Sequence, residues 1–229
     1  MRLELHDVGR IHGHGRTAVV ALEGASLTVE SGELVAVTGR SGSGKSTLLN
    51  LCGGLDQPTH GRVTVDDTDL ADLDAAALSA LRRRRIGVVF QHGNLLPTLT
   101  ARENVALPLE LDGAPTREAH CAADAALREV TDADLAERYP DELSGGEQQR
   151  VAIARGLVGE RGLLLADEPT GALDETTGEG VLALLRRRCD AGAAALLVTH
   201  DPAQASWADR VVRLRDGRIE SVVEVGDAS

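Results

Sequence analysis

The segment Gly39-Arg40-Ser41-Gly42-Ser43-Gly44-Lys45-Ser46-Thr47 constrains the fold more than any other stretch of the chain. It follows the apolar run Leu34-Val35-Ala36-Val37-Thr38 and precedes Leu48-Leu49-Asn50-Leu51. A glycine-rich turn therefore joins a strand to a helix in the pattern G-x-x-x-x-G-K-[ST]. Glycines let the backbone curl until successive N–H groups point inward, and the following helix adds the positive end of its dipole, a combination suited to a polyphosphate. In this pattern Lys45 reaches the β- and γ-phosphates and Ser46 ligates Mg2+. Lys45 is also the sole lysine; the other 23 of the 24 basic side chains are arginine. A compact ammonium on a thin stem enters a loop of amides where a planar guanidinium fork does not fit.

A chain of 229 residues can bury one substantial α/β core, with room for an inserted subdomain, and we expect residues 1–229 to form a single such domain. Aliphatics supply that core, because Phe90, Tyr139 and Trp207 are the only aromatics. The net charge of −12 argues against general binding to nucleic acid or to an anionic membrane. Cys52, Cys121 and Cys189 are odd in number and widely spaced, which suggests neither a disulfide framework nor a zinc site but reduced cytosolic thiols. The first eight residues alternate apolar and polar like a strand and do not read as a signal peptide. No apolar run approaches the ~20 residues of a membrane span, so service to a membrane would require a partner.

Period-2 alternation predicts strands over residues 2–8, 18–22 and 25–30, a small antiparallel layer preceding the strand at 34–38. A helix over 45–53, a strand at 62–65, a helix over 74–83 and a buried strand at 86–90 follow. Residues 92 to about 158 are rich in Ala, Leu and Glu and read as an inserted helical subdomain, broken at Pro97, Pro108, Pro115 and Pro140. Strands at 163–166 and 196–199 flank a helix near 176–190, the rhythm of a parallel sheet, and a last hairpin turns at Asp216-Gly217. The run Arg82-Arg83-Arg84-Arg85 falls at a helix end, where cations offset the dipole on a solvated face.

Two further clusters carry chemistry. Asp167 and Glu168 follow Leu163-Leu164-Leu165-Ala166, at the carboxyl end of a buried strand, where open α/β sheets bind ligands. Successive strand residues point in opposite directions, so the two carboxylates take different tasks. Asp167 suits the Mg2+ shell, and Glu168 suits orienting or deprotonating an attacking water. In Leu143-Ser144-Gly145-Gly146-Glu147-Gln148-Gln149-Arg150, Ser144 and Glu147 form a capping box that starts a helix. That alone leaves Gly145 and Gly146 unexplained, since each costs about 1 kcal/mol relative to alanine within a helix. An anion approaching the helix end too closely for a Cβ would account for them.

The phosphate loop, Gln91, the Leu-Ser-Gly-Gly-Glu run, Asp167-Glu168 and His200 occur in the order of an ATP-binding-cassette nucleotide-binding domain, and the chain resembles that family over nearly its whole length. The resemblance implies a P-loop NTPase of RecA-like type: a parallel core sheet, an N-terminal antiparallel β layer and the inserted helical subdomain. It implies ATP and Mg2+ as ligands and a head-to-tail dimer, in which Ser144-Gly145-Gly146 of one copy closes over ATP held by the phosphate loop of a second copy. It also implies that Gln91 reaches Mg2+ and the water while sensing a transmembrane partner, that His200 contacts the γ-phosphate, and that Ala172-Leu173-Asp174 lets the copies sense each other. The run from Asn94 to Val105 is similar to the subgroup of lipoprotein-release and macrolide-export ATPases. For this chain that implies an integral membrane permease subunit docked on the helical lobe, placement on the inner face of the cell membrane, and a role in export or, alternatively, in mechanical regulation of an extracytoplasmic enzyme. Two positions depart from the pattern. His12 stands where the family usually stacks an aromatic ring on adenine, and Gly93 where the subgroup often has a bulky residue.

Overall fold

In the computed structural model, which describes residues 1–131 and 134–226, the phosphate loop emerges from the middle of a six-stranded sheet. The sheet is built from β3 (Leu34–Thr38), β6 (Ile86–Val89), β7 (Leu163–Asp167), β8 (Ala194–Val198), β9 (Arg210–Arg215) and β10 (Arg218–Glu224), in the order β10-β9-β3-β8-β7-β6. All neighbours are parallel except the β9–β10 hairpin. Strand alternation divides the aliphatics between two cores. Val35 and Val37 face one core with Leu48 and Leu49, whereas Leu34 and Ala36 face the other with Leu182 and Leu185. The first core is roofed by helix α1 (Lys45–Cys52) and the second by helix α6 (Glu175–Asp190).

A second, antiparallel sheet covers the first core. Its order is β2-β1-β4-β5, with β1 at Leu3–His12, β2 at Val19–Val29, β4 at His60–Val65 and β5 at Thr68–Asp69. The two strands expected at 18–22 and 25–30 are one strand, β2. Its ladder with β1 shifts register around Val8, and Asp7 and Gly24 take left-handed φ values of 50° and 63°. A bulge adds twist without ending the pairing, which a periodicity argument reads as a break.

Helix α2 (Ala75–Arg85) starts at Asp74, whose carboxylate accepts from the Ala77 N–H, and ends in the four arginines. Arg84 and Arg85 are exposed, as a solvated helix end implies, while Arg82 and Arg83 are half-buried. Arg82 donates to the Gly54 carbonyl, Arg84 pairs with Asp112, and Arg85 lies 3.8 Å from Asp66. Helices α3 (Ala101–Glu110), α4 (Thr116–Val130) and α5 (Gly145–Leu157) share a core of alanines with Val105, Leu127 and Val151. Helix α5 also sends Ile153 and Leu157 into the core beneath the main sheet. Helix α5 thus belongs to both cores. A short helix α7 (Pro202–Ala205) follows β8, capped by Asp201.

Helix α5 crosses β6 at backbone contact. A Cβ added to Gly87 would lie 2.0 Å from the Gly156 carbonyl oxygen, and neither backbone can retreat without opening the sheet. Gly87→Ala is expected to lower unfolding stability by roughly 1–3 kcal/mol, the usual cost of overpacking. Denaturation followed through the single tryptophan, Trp207, measures it, and an unchanged midpoint would refute the contact. The cysteines are free, and burial pushes the Cys52 and Cys189 thiols up to about 12.

Candidate functional site

The loop between β3 and α1 takes a path only glycine can follow. Gly39, Gly42 and Gly44 have φ values of 154°, 77° and 103°. A Cβ on Gly39 would meet the Leu214 carbonyl at 2.2 Å, and one on Gly44 the Ala21 carbonyl at 2.4 Å. Gly44 caps α1 without any side-chain bond, so the first backbone N–H groups of that helix are left facing the loop mouth. The Lys45 ammonium donates to the Gly39 carbonyl at 2.8 Å and to the Arg40 carbonyl at 3.0 Å, so its charge lies inside the curl of the loop.

Opposite the loop, β7 ends at Asp167, whose carboxylate accepts a hydrogen bond from Ser46. Burial holds the Asp167 carboxyl above its ordinary range, a push opposed by the Ser46 hydrogen bond. Glu168 then turns with a left-handed φ of 46°, a strained conformation for a residue with a side chain. Its N–H donates to the Val198 carbonyl at 2.9 Å. Its Oε1 lies 2.7 Å from Nδ1 of His200, at the end of β8. That hydrogen bond, reinforced by the carboxylate charge, raises the His200 pKa and favours the imidazolium. Three quarters of the His200 side chain is exposed, whereas that of Glu168 is only 12% exposed. The carboxylate is sheltered and its partner can move.

A cavity of about 580 Å3 gathers these groups. Gly39, Arg40, Ser41, Gly42, Gly44, Lys45, Ser46 and Thr47 line it from the loop, and Gln91, Asp167, Glu168 and His200 line it from the strand ends. Ser43 turns away: it is buried, and its Oγ has no hydrogen-bond partner. Ser46 and Asp167 offer two hard oxygen donors side by side, with the Gln91 amide on the same wall, a set that fits Mg2+ held by few protein groups and completed by phosphate oxygens. Among the described residues no group of three His, Cys, Asp or Glu side chains could by itself hold a metal ion. A space of about 680 Å3 on the far side of the loop is lined by Arg213, Arg215, Asp216 and Glu220; it lacks Lys45, Asp167 and Glu168 and therefore this chemistry.

The remaining wall is one the sequence did not reveal. Val19, Val20 and Ala21 of β2 line the cavity, and the two valines are 63% and 52% exposed, an apolar surface suited to a flat ring. His12 pairs with Val19 across the β1–β2 ladder; it is exposed and stands outside the cavity lining. Two adjacent exposed valines in an edge strand were the available signal.

Ser144, Gly145, Gly146 and Glu147 do not line this cavity. Ser144 caps α5, and Glu147 Oε2 accepts from both the Ser144 N–H at 2.8 Å and its hydroxyl at 2.7 Å. These bonds hold the Glu147 carboxyl below its ordinary range. A Cβ on Gly145 would meet nothing within 4 Å, so nothing inside the chain requires glycine there. One on Gly146 would lie 3.3 Å from the Ala172 carbonyl, placing this helix end against the Ala172-Leu173-Asp174 loop. Asp174 caps α6 through Thr177.

The family described as ABC transporter matches residues 22–171. The chain is 46% identical, over 96% of its length, to the macrolide export ATP-binding/permease protein MacB of Hyphomonas neptunium, and 46% identical over 95% of its length to MacB of Escherichia coli K12. It spans 34% of each of those proteins. The ATP-binding cassette MJ0796, solved as a dimer in a post-hydrolysis state with ADP and Pi, superimposes with a TM-score of 0.93 at 40% identity, covering 97% of this chain and 98% of that one. A second dimeric structure of MJ0796, at 41% identity, gives the same TM-score and coverage.

Proposed function

Since the chain belongs to the ABC transporter family, we propose that it is an ATPase subunit that closes head-to-tail with a second copy around two ATP and drives a membrane permease. The observation that carries the reading is the convergence of Lys45, Ser46, Gln91, Asp167, Glu168 and His200 on one cavity beside a loop of inward-facing amides. Gly145, with open space where its Cβ would stand, supports the dimer: the room is there for a phosphate brought by the other copy.

The loop amides and Lys45 would bind the β- and γ-phosphates and neutralise charge as it develops. Ser46, Asp167 and Gln91 would hold Mg2+. When bound, Mg2+ supplies Lewis acidity to the phosphate oxygens. Glu168, sheltered and aimed by His200, would take the proton of the attacking water; the His200 imidazolium would then turn toward the γ-phosphate. The Ser144 helix end of the second copy would cover that phosphate from the other side. Val19 and Val20, with His12 beside them at the rim, would flank the adenine.

No helix among the described residues is long and apolar enough to cross a membrane. We therefore assign the membrane step to a permease, as a separate subunit or as further chain, and place the ATPase on the cytoplasmic face. The exposed Leu96 and Leu111 lie on the lobe that follows Gln91 and offer apolar surface for docking. Export is the direction the names of the relatives favour. Phosphate release from ATP by the purified chain, abolished by a Mg2+ chelator, tests the catalytic part. ATP binding without any Mg2+-dependent release, even with the permease present, would overturn it.

A further inference from the structure

Gln149 is a buried polar side chain to which the mechanism above gives no task. It lies on α5, five residues after Ser144, and is only 2% exposed. Its carboxamide nitrogen donates to the Phe90 carbonyl at 3.1 Å and to the Pro169 carbonyl at 3.0 Å, using both of its protons. Phe90 immediately precedes Gln91, and Pro169 immediately follows Glu168. A single amide thus ties the helix that begins at Ser144 to the backbone beside two groups of the cavity.

The Gln91 segment is pinned to the same helix on its other side. Arg155 of α5 donates to the Gly93 carbonyl at 2.7 Å and to the Asn94 carbonyl at 3.0 Å. Gly93 itself packs where a Cβ would lie 3.2 Å from the Gln148 carbonyl and 3.4 Å from the Ala152 methyl. Glycine at that position therefore has an internal cause, the close passage of this segment over α5. Gln91, exposed between two clamped neighbours, has its backbone fixed and its side chain free. On the other wall, Glu168 keeps its strained φ while Val198 holds its N–H and Gln149 holds the carbonyl one residue on.

We infer that Gln149 is a positioning residue for hydrolysis: through Phe90 and Pro169 it keeps Gln91 and Glu168 in register with each other and with the Ser144 helix end. The inference rests on the proposed ATPase reading. Without the amide, both carbonyls lose a buried donor and the two walls shift independently, while the phosphate loop, which Gln149 does not touch, keeps its shape. The loss falls on kcat rather than on nucleotide affinity.

The test is Gln149→Met, which keeps length and volume and removes both donors, beside Gln149→Glu, which keeps the shape and, buried against two carbonyls, can donate at most one hydrogen bond. At saturating ATP we expect kcat in each to fall by about tenfold or more, with KM within about twofold of wild type, since tenfold is the scale of one well-made hydrogen bond. Amide hydrogen exchange should also rise at 91–94 and 170–173 and stay unchanged across 39–47. Wild-type kcat together with wild-type exchange would overturn the inference, as would a KM rise that accounts for the whole loss. If Gln149→Met does not fold, Gln149→Asn, one methylene too short to span both carbonyls, is judged by the same two readouts. A wild-type chain that binds ATP and never hydrolyses it would refute the ATPase reading, and the exchange pattern alone would then decide whether the clamp exists.

Discussion

Glu168→Gln is expected to slow ATP turnover by about a hundred- to ten-thousand-fold, the range a positioned general base contributes, while ATP binding persists. The geometry makes the loss specific. Glu168 is nearly enclosed, its Oε1 is already engaged by His200 at 2.7 Å, and the left-handed turn at φ 46° fixes where the carboxylate points. Glutamine keeps that shape and cannot accept the proton of water. If the proposed ATP-bound dimer parts on hydrolysis, it should then accumulate at twice the 24.0 kDa chain mass, as read by light scattering. The same substitution removes the main cause of the raised His200 pKa, so the His200 titration should move back down toward the ordinary histidine range. In the wild-type chain the raised value means that folding favours the imidazolium; that contribution is complete below the ordinary histidine pKa and fades as pH rises through the raised one. Turnover near wild type in Glu168→Gln would remove Glu168 from the mechanism.

Lys45→Arg should cost nearly as much although it preserves the charge. The ammonium is bracketed by the Gly39 and Arg40 carbonyls at 2.8 and 3.0 Å, inside a curl already closed against Leu214 and Ala21. A guanidinium is planar and broader and cannot pass between those carbonyls without unwinding the loop. Loss of about 10²–10³ in kcat is expected, the scale of removing one preorganised charge donor, with ATP affinity weakened as well. Thermal stability should change little, because Lys45 contributes no core packing. Unchanged binding and hydrolysis would show that charge alone matters and would leave the lone lysine among 23 arginines without a physical reason.

The parts of this fold that were legible in the sequence rest on short-range causes. A strand, a glycine turn and a helix at 34–52, the β-α-β run from 163 to 198, and the hairpin at Asp216-Gly217 follow from local period and turn chemistry. The missed features depend on residues far apart. The bulge that makes β2 continuous needs β1 as its partner. The pairing of the arginines after Leu81 needs Gly54, Asp66 and Asp112, each brought in by tertiary packing. Gln149 reads as one more polar residue on a helix until the sheet places Phe90 and Pro169 beside it. The site shows the same division. Motif spacing marked Lys45, Ser46, Gln91, Asp167, Glu168 and His200, which line the cavity, whereas the Val19–Val20 wall belongs to the twist of the small sheet, which spacing does not encode.

Ser144 stands outside the cavity that holds Lys45 and Glu168; in the proposed head-to-tail dimer a second copy would bring it there, so that each site would depend on two chains. Mixing two inactive variants measures this directly. Lys45→Ala breaks both sites of its own dimer, and Ser144→Arg breaks both sites of its own. A mixed dimer carries both defects in one site and leaves the other whole. The head-to-tail account predicts that an equimolar mixture hydrolyses ATP well above the sum of the two variants measured alone. A mixture no more active than that sum would contradict it and would return the whole site to a single chain.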